Sequence, residues 1–178
     1  MSIPIYIIDD EPTILQALKQ LLTMEGYHTE VFSDARDAMK KLNRDWPGVV
    51  LSDINMPGMD GVAFLREALK LDDEFSIVML TGHGDISTAV ESMRLGAYDF
   101  IEKPFSNEML LDVLKRAGEK RALVLENREL KDELDAQTGA GPRLLGNTHK
   151  IKALQDKKQA RSDTIVTRMT RSIMKASA

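Results

Sequence analysis

The chain has 178 residues, room for one ordinary domain and a remainder, and its 43% apolar and 29% charged residues are globular proportions that argue against wholesale disorder. It contains no cysteine, which excludes disulfides, thiolate zinc sites and cysteine nucleophiles and suits a reducing cytoplasm. The net charge of −4 divides unevenly, −8 over residues 1–121, −3 over 122–137 and +7 over 138–178, as expected for separate modules.

The first element is an apolar run over residues 3–8, too short for a helix and rich in isoleucine, so it predicts a strand. No base precedes it and Asp9-Asp10-Glu11 follows it, so it does not read as a signal peptide. Ile14, Leu15, Leu18, Leu21 and Leu22 then recur with helical spacing. A weaker strand over 29–32 leads to a second stripe at Ala35, Ala38, Met39 and Leu42. A third strand over 48–52 runs into Asp53, and Val62, Leu65, Ala68 and Leu69 mark the third helix. The fourth strand, 76–80, runs into Thr81-Gly82-His83-Gly84. Ile86, Ala89, Val90 and Met93 follow as a helical stripe ended by Gly96. The fifth strand, 98–101, is followed by Lys103-Pro104. Five strands alternating with helices predict an α/β fold, a doubly wound parallel sheet covered on both faces. No run approaches 18 apolar residues, so no membrane span is expected.

A long helix is predicted over 106–137 with Ser106 as its N-cap; at 1.5 Å per residue it is roughly 48 Å long, more than a sheet of this size covers. Met109, Leu110, Val113, Leu114 and Ala117 are spaced to pack on the sheet. Leu123, Asn127, Leu130 and Leu134 follow the 4-3-4 spacing of a coiled-coil seam with Asn127 at an a position, which predicts a parallel homodimer through this linker. Thr138-Gly139-Ala140-Gly141-Pro142 then stops the helix. The expected organisation is a domain over 1–120, a linker helix over 121–137 and a poorly ordered basic tail over 138–178.

The strand ends carry the chemistry. In an open α/β sheet, ligands bind outside the carboxyl ends of the strands, and there the topology gathers Asp9, Asp10, Asp53, Thr81 and Lys103. Clustered carboxylates resist joint ionisation unless a cation lies between them. Hard oxygen ligands with no cysteine favour Mg2+ or Mn2+ over zinc, and such an ion usually works on a phosphate. Lys103 offers a point charge for a phosphoryl oxygen and Thr81 a hydroxyl donor. Asp53, between them, can act as a nucleophile that becomes an acyl phosphate.

Asp9-Asp10, Asp53-Ile54-Asn55-Met56-Pro57-Gly58-Met59-Asp60-Gly61, Thr81-Gly82 and Lys103-Pro104-Phe105, in this order and spacing, resemble the signature of a two-component response-regulator receiver domain over about residues 1–120. The runs Leu80-Thr81-Gly82-His83-Gly84-Asp85-Ile86, Gly96-Ala97-Tyr98-Asp99-Phe100-Ile101-Glu102-Lys103-Pro104-Phe105 and Glu126-Asn127-Arg128-Glu129-Leu130 are similar to the nitrogen-regulation and dicarboxylate-transport regulators. These are sigma-54-dependent activators built from receiver, AAA+ ATPase and DNA-binding domains. The resemblance implies a CheY-like (flavodoxin-like) fold with strand order 2-1-3-4-5. It makes Asp53 the phosphoacceptor, with Mg2+ held by Asp9, Asp10, Asp53 and the backbone carbonyl of Asn55. Thr81 and Lys103 would contact the phosphoryl oxygens, and Phe100 would follow Thr81 as the switch aromatic. The donor would be a phosphohistidine on a sensor histidine kinase in the cytoplasm. The chain would then be a switch, not an enzyme that turns over a substrate.

Leu144-Leu145-Gly146-Asn147-Thr148 with Ile151 resembles the opening of the ATPase, but no G-x-x-x-x-G-K-[ST] loop follows. Gly141 and Gly146 have its spacing, yet Asn147 stands at the lysine position. ATP hydrolysis and promoter opening therefore do not carry over. The basic tail has no aromatic residue for base stacking, so direct nucleic-acid binding is not expected. Three other readings compete. Gly82-His83-Gly84 has the start of a dinucleotide fingerprint, but Ser87 stands where the third glycine belongs. A haloacid-dehalogenase-type Mg2+-dependent phosphatase needs a second aspartate where Asn55 stands. The third is a constitutive dimerisation or inhibitory module with a vestigial phosphosite. His83 reads as a loop residue, and His28 and His149 as surface residues.

Overall fold

In the computed structural model, residues 2–82 and 84–138 are described. Strands β1 (Pro4–Ile8), β2 (His28–Phe32), β3 (Val49–Asp53), β4 (Ser76–Thr81) and β5 (Asp99–Glu102) alternate with helices α1 (Pro12–Met24), α2 (Ala35–Lys41), α3 (Gly61–Leu71), α4 (Ile86–Leu95) and α5 (Asn107–Thr138). The strands form one sheet in the order β2-β1-β3-β4-β5, with every neighbouring pair parallel. This is the expected doubly wound arrangement, with strand limits displaced by about one residue from those read in the sequence. The chain divides at Lys131 into two units, 1–131 and 132–178; the second is described only through the last turns of α5.

Side chains alternate across the strands and so fill two cores. On one face Ile5, Ile7, Val49, Leu51, Val78 and Leu80 pack against Leu15, Leu18 and Leu22 of α1 and Leu110, Val113 and Leu114 of α5. On the other, Tyr6, Ile8, Val50, Ile77 and Met79 pack against α2 and α3 through Ala35, Ala38, Phe64, Leu65 and Ala68. Burying one such leucine or isoleucine stabilises the fold by about 1.5–3 kcal/mol. Asp34 and Asp60 cap α2 and α3 by accepting from the backbone N–H of Arg36 (2.9 Å) and Ala63 (2.8 Å). Ser106 caps α5 as expected, its Oγ accepting from Met109 N–H at 3.2 Å.

Helix α4 departs from its sequence pattern. Ala89 and Ser92 form its buried line and Ile86 is 66% exposed, because the first turn of α4 begins at the rim, beyond the last residues of β4. Ser92 is accommodated by donating its hydroxyl to the Thr88 carbonyl at 2.9 Å.

Helix α5 is anchored along its length by polar contacts that its apolar spacing does not reveal. Ser76 donates to the Ala117 carbonyl at 2.9 Å, and Gly118 lies so close to Ile3 that a β-carbon would collide with it. One turn on, Arg121 is fully buried. It donates to the carbonyls of Trp46 (2.9 Å), Arg44 (2.9 Å) and Glu74 (3.2 Å) and to the carboxylate of Asp72 (2.9 Å), with Phe75 beneath the guanidinium. Arg128 reaches the same loop, at 2.7 Å from both oxygens of Asp72 and 3.0 Å from Glu74. His28 is exposed, as expected. Among the described residues no helix is long and apolar enough to cross a membrane. His83, His149, the 144–151 segment and the basic tail from residue 139 lie outside the described residues.

Candidate functional site

Three strand ends assemble the site. Asp9 directly follows β1, where its N–H donates to the Phe32 carbonyl at 3.1 Å and holds the chain in line with β2. Its side chain is completely buried. Oδ1 accepts from the Glu11 N–H at 2.9 Å and so supports the entry to α1, leaving Glu11 itself exposed. Asp53 is the last residue of β3, paired in register with Leu80 of β4 and only 9% exposed. A glycine is required at position 61 for this placement. Any β-carbon there would strike the carbonyl of Asp53 and lie 2.8 Å from Ile54 Cα, so only glycine lets α3 start against the end of β3.

Lys103 enters from beyond β5. Its N–H donates to the Thr81 carbonyl at 2.7 Å, which extends the β4–β5 pairing by one residue and aims the side chain across the rim. The ammonium lies 3.3 Å from Asp53 Oδ1 and 3.6 Å from Asp9 Oδ2. Carboxylate oxygens of Asp9, Asp10 and Asp53 all fall within 4.8 Å of one another, with Asp10 exposed on the solvent side.

Among the described residues the Lys103 ammonium is therefore paired with two of the three clustered carboxylates. Burial pushes the Asp53 carboxyl above its ordinary range; the Lys103 charge opposes this and the Asp9 charge adds to it. Asp9 Oδ2 is buried with no hydrogen-bond partner among the described residues. With the Lys103 ammonium at 3.6 Å but no hydrogen bond, this buried oxygen is under-satisfied, and a hard divalent cation among these oxygens would satisfy it. The other acid cluster, Asp72-Asp73-Glu74, has guanidinium partners for Asp72 and Glu74 and shows no such deficit. The donor set at the rim fits a magnesium-type ion.

The remaining expected residues are distributed around this centre. Thr81 ends β4, is buried, and turns its hydroxyl toward the Ile101 carbonyl at a long 3.5 Å. Phe100 is half-buried in β5 and packs with the α2–α3 core. Asn55 lies exposed in the β3–α3 loop, and its side-chain amide donates to Asp85 Oδ2 at 3.0 Å, bridging two rim loops. That bridge leaves no signal in the sequence, because a single polar pair 30 residues apart has no periodicity to betray it.

Residues 5–115 match the family described as response regulator receiver domain. The chain is 44% identical over 152 residues to the C4-dicarboxylate transport transcriptional regulatory protein DctD of Pseudomonas aeruginosa, covering 85% of this chain and 33% of that protein. With the DctD protein of Rhizobium meliloti it shares 41% over 162 residues, 91% of this chain and 35% of that one. The chain thus spans about a third of the length of these two relatives. Among solved structures, the receiver domain of NtrX from Brucella abortus is 43% identical with a TM-score of 0.61, covering 65% of this chain and 98% of that one.

Proposed function

The chain belongs to the response regulator receiver family, whose members signal by phosphorylation from sensor histidine kinases, and from that premise we propose that Asp53 is the phosphoacceptor of a cytoplasmic switch. The receiver spans residues 1–120 and residues 121–137 form the linker. The observation that carries this reading is the Lys103 ammonium between Asp53 and the buried Asp9 oxygen that has no hydrogen bond of its own.

In the proposed transfer an Asp53 carboxylate oxygen attacks the phosphorus of a phosphohistidine. The new O–P bond forms as the P–N bond breaks, and the imidazole leaves to the kinase. Asp9, Asp10, Asp53 and the backbone carbonyl of Asn55 would hold Mg2+, which would supply charge neutralisation for the phosphoryl oxygens. Lys103 exchanges its contact with Asp53 for one with a phosphoryl oxygen. Thr81 turns its hydroxyl from the Ile101 carbonyl to the same group, and Phe100 moves into the space that Thr81 leaves. The protein itself supplies positioning and charge rather than acid–base chemistry. By likeness to the dicarboxylate-transport transcriptional regulatory proteins the output is transcriptional control, sigma-54-dependent as the motif resemblance implies, with the linker helix joining two copies.

Acetyl phosphate with Mg2+ should add one phosphoryl mass to the wild-type chain and none to Asp53→Asn, read by intact-protein mass spectrometry. Equal absence from both would favour the constitutive module with a vestigial phosphosite.

A further inference from the structure

The part of α5 beyond the sheet has two opposed faces. Arg121 is buried and Val124, Leu125 and Arg128 are half-buried, whereas Leu123 and Leu130 are 54% and 51% exposed and Asn127 is exposed with them. At about 100° per residue the first four residues form one stripe, and Leu123, Asn127 and Leu130 form a second stripe centred roughly 140° away. Leu123 and Leu130 are therefore not among the residues that pack on the receiver. The receiver instead grips the opposite face, through Arg121 and Arg128 seven residues apart, both bonded to Asp72.

We infer that Arg128, with Asp72 and Glu74, is a clamp that fixes the rotational phase of the linker helix and so presents Leu123, Asn127 and Leu130 to a second copy of this chain. This rests on the linker dimer of the proposed function and adds what orients it. Charge pattern identifies the occupant. With Asn127 at a and the leucines at d, Glu126 falls at g and Lys131 at e, both exposed, and in a parallel pair Glu126 of one copy faces Lys131 of the other. Arg121 and Arg128 fall at b, pointing away from the seam. Clamp and seam are therefore compatible, and in the dimer each receiver rides on the outer flank of the helix pair. The clamp also answers the shortness of the seam. Two heptads are marginal as an isolated helix in water, and tying the helix to a folded domain removes most of the ordering that association would otherwise require.

The absence of cysteine permits a direct test with single-cysteine variants of the full chain. Under mild oxidation Leu123→Cys and Leu130→Cys should cross-link at least tenfold faster than Ala122→Cys and Glu129→Cys, which lie at outward c positions. Equal rates at all four positions would show that no phase is imposed and overturn the inference. No cross-linking at any of them would overturn the presentation and the linker dimer together. The clamp itself is read without the dimer, by amide hydrogen exchange over residues 124–131 in a Leu123→Asp/Leu130→Asp chain. Adding Arg128→Met should speed that exchange at least tenfold, with Trp46 fluorescence unchanged as the sign of an intact receiver. Unchanged exchange would overturn the clamp alone.

Discussion

Arg121 and Asp72 stand 49 residues apart in the chain and 2.9 Å apart in space, Nη1 to Oδ2, with side-chain exposures of 0% and 1%. A buried ion pair adds little over an apolar pair of the same shape, because both charges must leave water; its removal by halves is what costs. Arg121 also satisfies three backbone carbonyls at the end of the sheet away from the rim. It is thus the point at which helix α5, the α2–β3 loop and the α3–β4 loop are joined.

Arg121→Met should accordingly destabilise the domain by about 3–5 kcal/mol, a large share of the roughly 5–15 kcal/mol that holds a domain together. Urea unfolding followed by Trp46 fluorescence measures it. Trp46 is buried with its ring 4.2 Å from that of Tyr6, so its emission reports the fold. A loss under 1 kcal/mol would mean that the stranded carbonyls and Asp72 find water without penalty.

Asp72 also makes stability depend on pH in a defined direction. Burial raises its carboxyl, but hydrogen bonds from Arg128, the Glu74 N–H and Arg121 outweigh this and hold it well below the usual carboxylate range. In the unfolded chain the group titrates near its ordinary value of about 3.9. Between the two values the unfolded state binds the proton and the folded state does not, so the contribution is complete above about pH 5 and is lost as pH falls below about 4. The melting-temperature gap between wild type and Asp72→Asn should therefore be flat from pH 7 to 5 and narrow on further acidification. A gap that stays constant to pH 2 would refute the assignment.

The fold and the rim were legible in the sequence because both are written in local patterns. Short β-branched runs ending in Asp9, Asp53 and Thr81 give the strands and the site together, and the one-residue shift in strand limits does not move any of them off the rim. The clamp was not legible. The leucines at 123, 130 and 134 dominate the apolar pattern of the linker, while its receiver-facing side is led by two arginines, which a hydrophobic count assigns to solvent. Only the loop carrying Asp72 and Glu74, brought there by the sheet, turns that charged stripe into the packed one. Ile86 fails for the converse reason: its spacing fits the stripe, but its turn begins past the sheet.

Asp10→Ala tests the metal assignment. Asp10 is the exposed member of the carboxylate triad, so its loss disturbs packing least while removing one proposed ligand. Outer-shell partners of metal ligands are commonly worth 10–100-fold in affinity, so loss of a direct ligand should raise the Mg2+ requirement for phosphorylation by at least about tenfold. The readout is phosphorylation yield against Mg2+ concentration. An unchanged dependence would remove Asp10 from the site.

Lys103→Ala separates acceptance from switching. Asp53 and the carboxylates remain, so some phosphoryl transfer should persist, but the contact linking the segment after β5 to the phosphoryl oxygen is gone. Phosphorylation-induced NMR shifts at Thr81, Phe100 and along α4 should shrink to less than about half of their wild-type size, as expected when one charge-assisted hydrogen bond is removed from a coupled network. Full-size shifts in the variant would make Lys103 a structural partner of Asp53 only.

The linker seam is tested by charge. Leu123 and Leu130 are half exposed on the face of α5 turned from the receiver, so aspartate at both positions should leave the receiver's stability within about 0.5 kcal/mol of wild type, the usual range for surface changes. In a two-stranded seam the same pair would bring like charges together at consecutive d layers, and a helix pair of two heptads has no reserve to absorb that. With the linker joining two copies as proposed, the wild type should sediment as a dimer and the double variant as a monomer at the same concentration, and Asp53 should still accept phosphoryl groups from acetyl phosphate. Persistence of the dimer would move the contact from the linker to the receivers themselves. Loss of phosphorylation together with the dimer would show instead that the leucines support the receiver, against their exposure and against the grip of Arg121 and Arg128 on the opposite face.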